Sequence, residues 1–187
     1  DGRLQRPAPR TLREAIGVSR AAFLFVVVGQ AKRGQAVSEM LEALSRLPAS
    51  VHAALVGAGY ERLAPAIRAR GLEGRVHPVP PVKPYEVVSF IADADASLLL
   101  YCPRSANYLH CLPNGFFQAI AAGLPLLYPE LPEIQRLAGA YDLGLPIDPA
   151  SPASVAAAMT TFVREPERVA AYRANAARAR GALGWER

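Results

Sequence analysis

Runs of consecutive apolar residues alternate along this chain with segments in which apolar residues recur every three or four positions. Phe23-Leu24-Phe25-Val26-Val27-Val28 is apolar throughout, the mark of a strand buried on both faces. Residues 34–47 then place Val37, Met40, Leu41, Leu44 and Leu47 at helical spacing, and Pro48 stops the helix. The two signals keep exchanging. A strand is predicted over 51–56, a helix over 60–70 ended by Gly71, and a short strand over 75–79 broken by Pro78 and Pro80. A helix over 84–93 turns Val87, Val88 and Ile91 inward, and a fourth strand runs over 96–101. After a polar loop come a helix over 116–122, a strand over 125–128, a short helix over 132–139 and an edge strand at 145–147, where a proline is tolerated. Two helices close the chain, 151–163 and 166–182, opened by Ser151-Pro152 and Glu165-Pro166. Such regular alternation predicts a doubly wound parallel sheet of about six strands with helices on both faces. Ligands of such sheets sit beyond the carboxyl ends of the strands, where strand order reverses. The loops after Val28, Val56, Val79, Tyr101 and Tyr128 are therefore the ones to read for chemistry.

Length and composition narrow the picture. The 187 residues suffice for one α/β domain and not for two. The expected division is a lead-in segment and helix over 1–20, a sheet core over 21–163 and a C-terminal helix over 164–187. No apolar run reaches the length of a membrane span, and DGRLQRPAPR lacks the apolar stretch of a secretory leader. Cys102 and Cys111 make no disulfide framework, which points to a reducing, cytoplasmic setting. His52, His77 and His110 have no metal-ligand spacing, and no metal is expected. The net charge of +5 fits an anionic ligand or an anionic membrane surface. No basic run is interleaved with aromatics, so nucleic acid is not an expected partner. The scattered arginines are read first as solvated surface. Arg164, Arg168, Arg173, Arg178 and Arg180 near the end suit peripheral contact with anionic lipid, and equally a solvated helix face.

Gly29-Gln30-Ala31-Lys32-Arg33-Gly34 follows the first strand. Glycines at both ends free the backbone to turn, and the two cations suit a diphosphate, Arg33 as a planar fork of donors and Lys32 as a point charge. A solvated surface turn is the other role open to this loop. Leu55-Val56-Gly57-Ala58-Gly59 is a tight strand-to-helix turn and not a dinucleotide fingerprint, because Arg62 stands where a third glycine would be needed. His77 is read as a strand residue. Asp93 and Asp95 are expected to cap or solvate the turn before the fourth strand.

The most specific segment is LPNGFFQAIAAGLPLL, residues 112–127. Leu112-Pro113-Asn114-Gly115 opens a helix, Gly123 ends it, and a buried strand follows. A helix start above a sheet presents unpaired N–H groups, a ready place for a phosphate. This segment resembles the nucleotide-sugar-binding signature of the retaining glycosyltransferases of GT-B fold in the group 1 family, one branch of which carries a segment close to LPNKLFEYLAAGLPVV. The chain keeps Leu112, Pro113, Asn114, Phe117 and the run from Ala121 to Pro125. It departs at Gly115, a lysine in that branch, and at Gln118, a glutamate there. His110 stands where other branches place a second glutamate. Weaker likenesses occur in the right order at Leu55–Gly59, at Gly74–Val82, at Pro132-Glu133-Ile134 and at Trp185-Glu186.

The resemblance implies a Rossmann-like domain, the C-terminal half of a GT-B fold, whose N-terminal acceptor domain is not in this chain. It implies a nucleotide-diphosphate-sugar donor, UDP-linked among the candidates, in bacterial carbohydrate biosynthesis, without cofactor or essential metal, and an acceptor that includes lipid-linked ones at a membrane surface. By the same resemblance, Gly29, Lys32, Arg33, Asn114 and Gly115 hold the diphosphate. Gly57, Val79, Val82 and Gln118 face the base and ribose, and Arg104, Asn107 and His110 face the sugar. No catalytic base is identified in this half. The departures at Gly115, Gln118 and His110 keep a second role open, a catalytically degraded relative acting as a binding or regulatory module. A nicotinamide-dependent oxidoreductase is disfavoured by the missing glycine pattern.

Overall fold

The computed structural model describes residues 6–102 and 112–183. Helix α1 (Leu12–Ile16) leads into strand β1 (Phe23–Val28), followed by α2 (Val37–Ser45) and β2 (Val51–Val56). A 3-10 turn (Tyr60–Leu63) precedes α3 (Ala64–Ala69), then come β3 (Val76–Val79), α4 (Val87–Ile91) and β4 (Ala96–Leu98). The second half contains α5 (Asn114–Ala121), β5 (Leu126–Pro129), α6 (Pro132–Ala140), β6 (Gly144–Ile147), α7 (Pro152–Arg164) and α8 (Pro166–Leu183). The strands form one six-stranded sheet in the order β3-β2-β1-β4-β5-β6, every pair parallel. This is the predicted Rossmann-like architecture, with strand order reversing between β1 and β4.

β1 explains the layering. Phe25 and Val27 belong to one core with α2 and α7, while Leu24, Val26 and Val28 belong to the other with α4, α5 and α6. One face thus receives the odd positions and the other the even ones, as a strand's period of two requires. α8 joins the two layers. Its early residues Val169 and Tyr172 enter the first core, and Ala176 and Ala179 the second.

The amino ends of the strands are tied by arginines. Arg13, only 6% exposed, donates from Nη2 to the Asp95 carboxylate at 2.5 Å and from Nε to the Asp93 carbonyl at 2.8 Å. Its Nη1 donates to the carbonyls of Ser19 and Ala22, at 2.5 and 3.1 Å. The same Asp95 carboxylate accepts from the Leu24 amide at 2.7 Å, fastening the start of β1. Arg173 of α8 donates to the carbonyls of Ala94 and Asp95. Arg75 closes the end of α2, donating to the carbonyls of Leu44, Leu47 and Pro48. The expectation that the arginines are solvated surface is therefore wrong for these residues, and of the two roles expected of Asp93 and Asp95 it is the bonding one that holds, their carboxylates accepting from the backbone amides of Arg13 and Leu24. Buried carbonyls left by helix and strand ends need donors, and a guanidinium offers five in a rigid fork.

Other departures from the predicted elements are local. The helix predicted over 60–70 is split into a 3-10 turn and α3. The strand predicted to continue to Tyr101 ends at Leu98, and the chain then turns so that Tyr101 pairs antiparallel with Gln35. The outer strands each carry a proline, Pro78 in β3 and Pro146 in β6, both exposed. Among the described residues no helix is long and apolar enough to cross a membrane.

His52 of β2 and His77 of β3 meet with Nδ1 and Nε2 3.1 Å apart and their rings nearly coplanar, at 5°. A neutral pair shares one proton in an N–H···N bond, and a doubly charged pair cannot. Burial lowers the pKa of His52, helped by the nearby Arg75 guanidinium, and burial together with His52 lowers that of His77 to about 4.

Two outcomes are expected. Replacing Arg13 by leucine strands a partly buried carboxylate and several carbonyls, and should cost about 3 kcal/mol of unfolding free energy in urea melts. Removing the exposed Arg46–Glu42 pair by Arg46→Ala should cost no more than about 0.5 kcal/mol. The histidines add a pH dependence. The unfolded chain takes up protons near pH 6.5 before the folded pair does, so their contribution is complete above that value and is lost as pH falls toward 4. Thermal melts of His77→Gln should decline less between pH 6.5 and 4.5 than those of the parent; an equal decline would contradict the pairing.

Candidate functional site

The carboxyl end of β1 is where three segments converge. Gly29 follows β1, and its N–H donates to the Val56 carbonyl at 3.0 Å. Gly57 follows β2, and its N–H donates to the Val79 carbonyl of β3 at 2.9 Å. A Cβ on Gly57 would lie 2.0 Å from the Gly29 carbonyl oxygen, and its φ of +151° is one few side chains adopt. Glycine at 57 is thus a condition of the two loops touching. The contact continues as Ala31 N–H donates to the Ala58 carbonyl at 2.9 Å.

From the other side α5 comes down on the same strand end. A Cβ on Gly115 would stand 3.0 Å from the Val28 carbonyl oxygen, and Gly115 is buried. Its assignment as a diphosphate residue needs this amendment: the missing side chain lets the helix sit close to β1. Pro113 is the N-cap of α5 and supplies no side-chain hydrogen bond to its first amides. The helix start at Asn114 and Gly115 therefore keeps the partial positive charge of an uncapped N-terminus. Asn114 is exposed, and Gln118 lies one turn further, half-buried, off the face that packs Gly115, Phe116, Ala119 and Ile120.

Lys32 and Arg33 are exposed in the turn between β1 and α2. Lys32 makes no ion pair among the described residues. Its backbone N–H donates to Gln35 Oε1 at 3.1 Å, which also accepts from the Tyr60 hydroxyl at 3.4 Å. Tyr60 is completely buried, and burial above all, with Tyr101 nearby, pushes its pKa up to about 12. Sequence alone does not single out Gln35 or Tyr60. The one available signal is a tyrosine, with a polar tip, directly after Gly59 at an otherwise apolar position.

The structure thus brings Gly29, Gly57 and Gly115 around the end of β1, with Val79 bonded to Gly57. Val82 lies beyond β3, half-buried against the α4–α5 core. Arg104, Asn107 and His110, and the Trp185-Glu186 pair, lie outside the described residues. Among the described residues no three His, Cys, Asp or Glu side chains gather as metal ligands would.

Fold and geometry together define a doubly wound α/β domain whose strand order reverses between β1 and β4, with glycine contacts, an exposed cationic turn and an uncapped helix N-terminus at the carboxyl end of β1. The chain belongs to the glycosyl transferase-like family, whose profile matches residues 32–184. No curated protein matches the chain. HepE of Anabaena, solved in complex with UDP-glucose, is similar with a TM-score of 0.80 at 20% identity over 97% of this chain and 50% of that one. Sucrose-phosphate synthase from Thermosynechococcus elongatus gives 0.77 at 17% identity, over 98% of this chain and 46% of that one. The C-terminal domain of the group 1 family protein LpcC from Francisella tularensis gives 0.75 at 11% identity, over 100% of this chain and 99% of that one. The chain spans about half the length of the first two. At such identities the likeness establishes the fold, that of a GT-B glycosyltransferase domain.

The glycine contacts can be tested by substitution. Gly57→Ala should cost about 2 kcal/mol or more, since backbone must move to admit the methyl. Gly139→Ala, in α6 with open space around it, should be neutral or stabilising by up to about 1 kcal/mol. Equal effects in chemical denaturation would refute the close approach of the Gly29 and Gly57 loops.

Proposed function

We propose that this chain is the donor-binding, C-terminal domain of a GT-B glycosyltransferase that takes a nucleoside diphosphate sugar and transfers its glycosyl group with retention. The observation that carries this is the pairing of a cationic turn, Lys32-Arg33, with the uncapped start of α5, both at the carboxyl end of the central strand. A diphosphate there meets point charge, guanidinium and helix-terminal amides from two sides. Those groups favour the negative charge that builds on the diphosphate as the glycosyl bond breaks, which lowers the barrier to departure. The ligands of HepE, UDP and UDP-glucose, support a uridine donor as the first to try. The likeness to a domain solved as the C-terminal part of LpcC supports the placement in the longer enzyme. The acceptor site belongs to the N-terminal domain under this reading, so the chain by itself binds donor without turning it over.

Gln118 shapes the affinity. A glutamate accepts hydrogen bonds from both ribose hydroxyls, whereas an amide accepts with one end and donates with the other. The weaker fit reduces affinity without abolishing it.

Calorimetric titration with UDP, UDP-glucose and GDP should show saturable binding to one nucleotide. Lys32→Ala with Arg33→Ala should weaken it at least about tenfold, the loss of charge-assisted bonds. Gln118→Glu should tighten it several-fold. Binding unchanged by the double substitution would sink the diphosphate assignment, and no binding at millimolar nucleotide would favour the non-catalytic, partner-binding role.

A further inference from the structure

Lys32-Arg33-Gly34-Gln35 is a tight turn. The Gln35 N–H donates to the Lys32 carbonyl at 3.3 Å, and Gly34 in the third position has the positive φ, +92°, that a type II turn demands. Gln35 also sends its side chain back across the turn, where Oε1 accepts from the Lys32 N–H and from the hydroxyl of Tyr60. Both ends of the turn are thereby closed by one residue, and that residue is moored to a ring with no exposure at all. The backbone on either side of Gln35 is held as well. The Ala36 N–H donates to the Leu100 carbonyl, and the Cys102 N–H to the Gly34 carbonyl, each at 2.8 Å. Gln35 therefore stands where the cationic turn, buried Tyr60 of the 3-10 segment and the chain leaving β4 are joined.

We propose that Gln35 is a positioning residue for diphosphate binding: its side-chain oxygen fixes the Lys32 turn to buried Tyr60, so that the two cations are ordered before the ligand arrives. This rests on the donor-site reading above. Without that oxygen, the Lys32 amide loses its acceptor and the Lys32-Arg33 segment, held only by its backbone bonds, is less ordered. Ligand binding must then order the turn, and affinity falls by that amount. The loss concerns only the groups that meet phosphate. A nucleoside without phosphates should not feel it.

The test is a set of UDP and uridine titrations on the parent chain, Gln35→Met, Tyr60→Phe and the double variant, with amide exchange at Lys32 followed by NMR. Methionine keeps the length of glutamine and removes the acceptor. The UDP Kd should rise about fivefold in Gln35→Met, the worth of one net hydrogen bond, with the uridine Kd unchanged. Tyr60→Phe should move UDP binding the same way and add nothing in the Gln35→Met background, as two parts of one link do. Exchange at Lys32 should quicken in Gln35→Met and return to the parent rate in Gln35→Glu, which keeps an acceptor oxygen. A parent chain that binds UDP and loses affinity on Lys32→Ala, yet is indifferent to Gln35→Met, overturns this inference and leaves the donor site standing. A parent chain that binds neither ligand overturns the donor site and the ligand half of this inference with it. Lys32 exchange unaltered by Gln35→Met removes the remainder.

Discussion

The structure depends on β1 being enclosed on every side. Its faces lie in two separate cores, and its edges are paired with β2 along its full length and with β4 in part. A strand so placed carries no polar side chain, and every residue from Phe23 to Val28 is apolar. Its start is fastened by the Asp95 carboxylate on the Leu24 amide, and its end is hemmed in by Gly115 and by the Gly29–Gly57 contact. The loops that could hold a ligand hang from this fixed end. Their spacing is set by backbone touching backbone, which leaves little room for adjustment.

Bracing arginines and the Lys32-Arg33 turn consequently lie at opposite ends of the strands. At the amino ends, Arg13, Arg75 and Arg173 spend their donors on carbonyls and one carboxylate. At the carboxyl ends, Lys32 and Arg33 are exposed. The basic residues counted in the composition thus include some that brace the fold and others, Lys32 and Arg33 among them, that lie exposed. Only their positions in the structure separate the two groups.

That separation marks the limit of what the sequence discloses. Elements were legible wherever apolar residues follow a clear period, as in β1 and α2, because burial on a face dictates the period. The end of β4 was not, since Leu99 and Leu100 are as apolar as the strand before them, and it is pairing with residues 34–36 that draws the chain away. For Asp93 and Asp95 the sequence left capping and solvation both open, because their partner, Arg13, lies some eighty positions earlier. Gly115 was visible as a departure from a family pattern, but its reason, the nearness of the Val28 carbonyl, exists only in three dimensions. Lys32 and Arg33 could be named from the loop's composition, whereas Gln35 could not, as nothing in its neighbours indicates a side chain that folds back on its own turn.

The prolines of the outer strands have a consequence for how the domain meets other molecules. In β3 the Val79 carbonyl is directed at β2, so the alternate position, Pro78, turns its backbone outward. In β6 the residue before the strand, Leu143, bonds inward to Leu126, and by the same alternation Pro146 turns outward. A proline nitrogen has no hydrogen to give, so each rim lacks a donor where an incoming strand would need one. Each rim is therefore a poorer template for a neighbour's strand, which disfavours rim-to-rim aggregation of crowded copies of the chain. Side chains and loops are thus better placed than the sheet rims to carry an association, and β-augmentation is disfavoured.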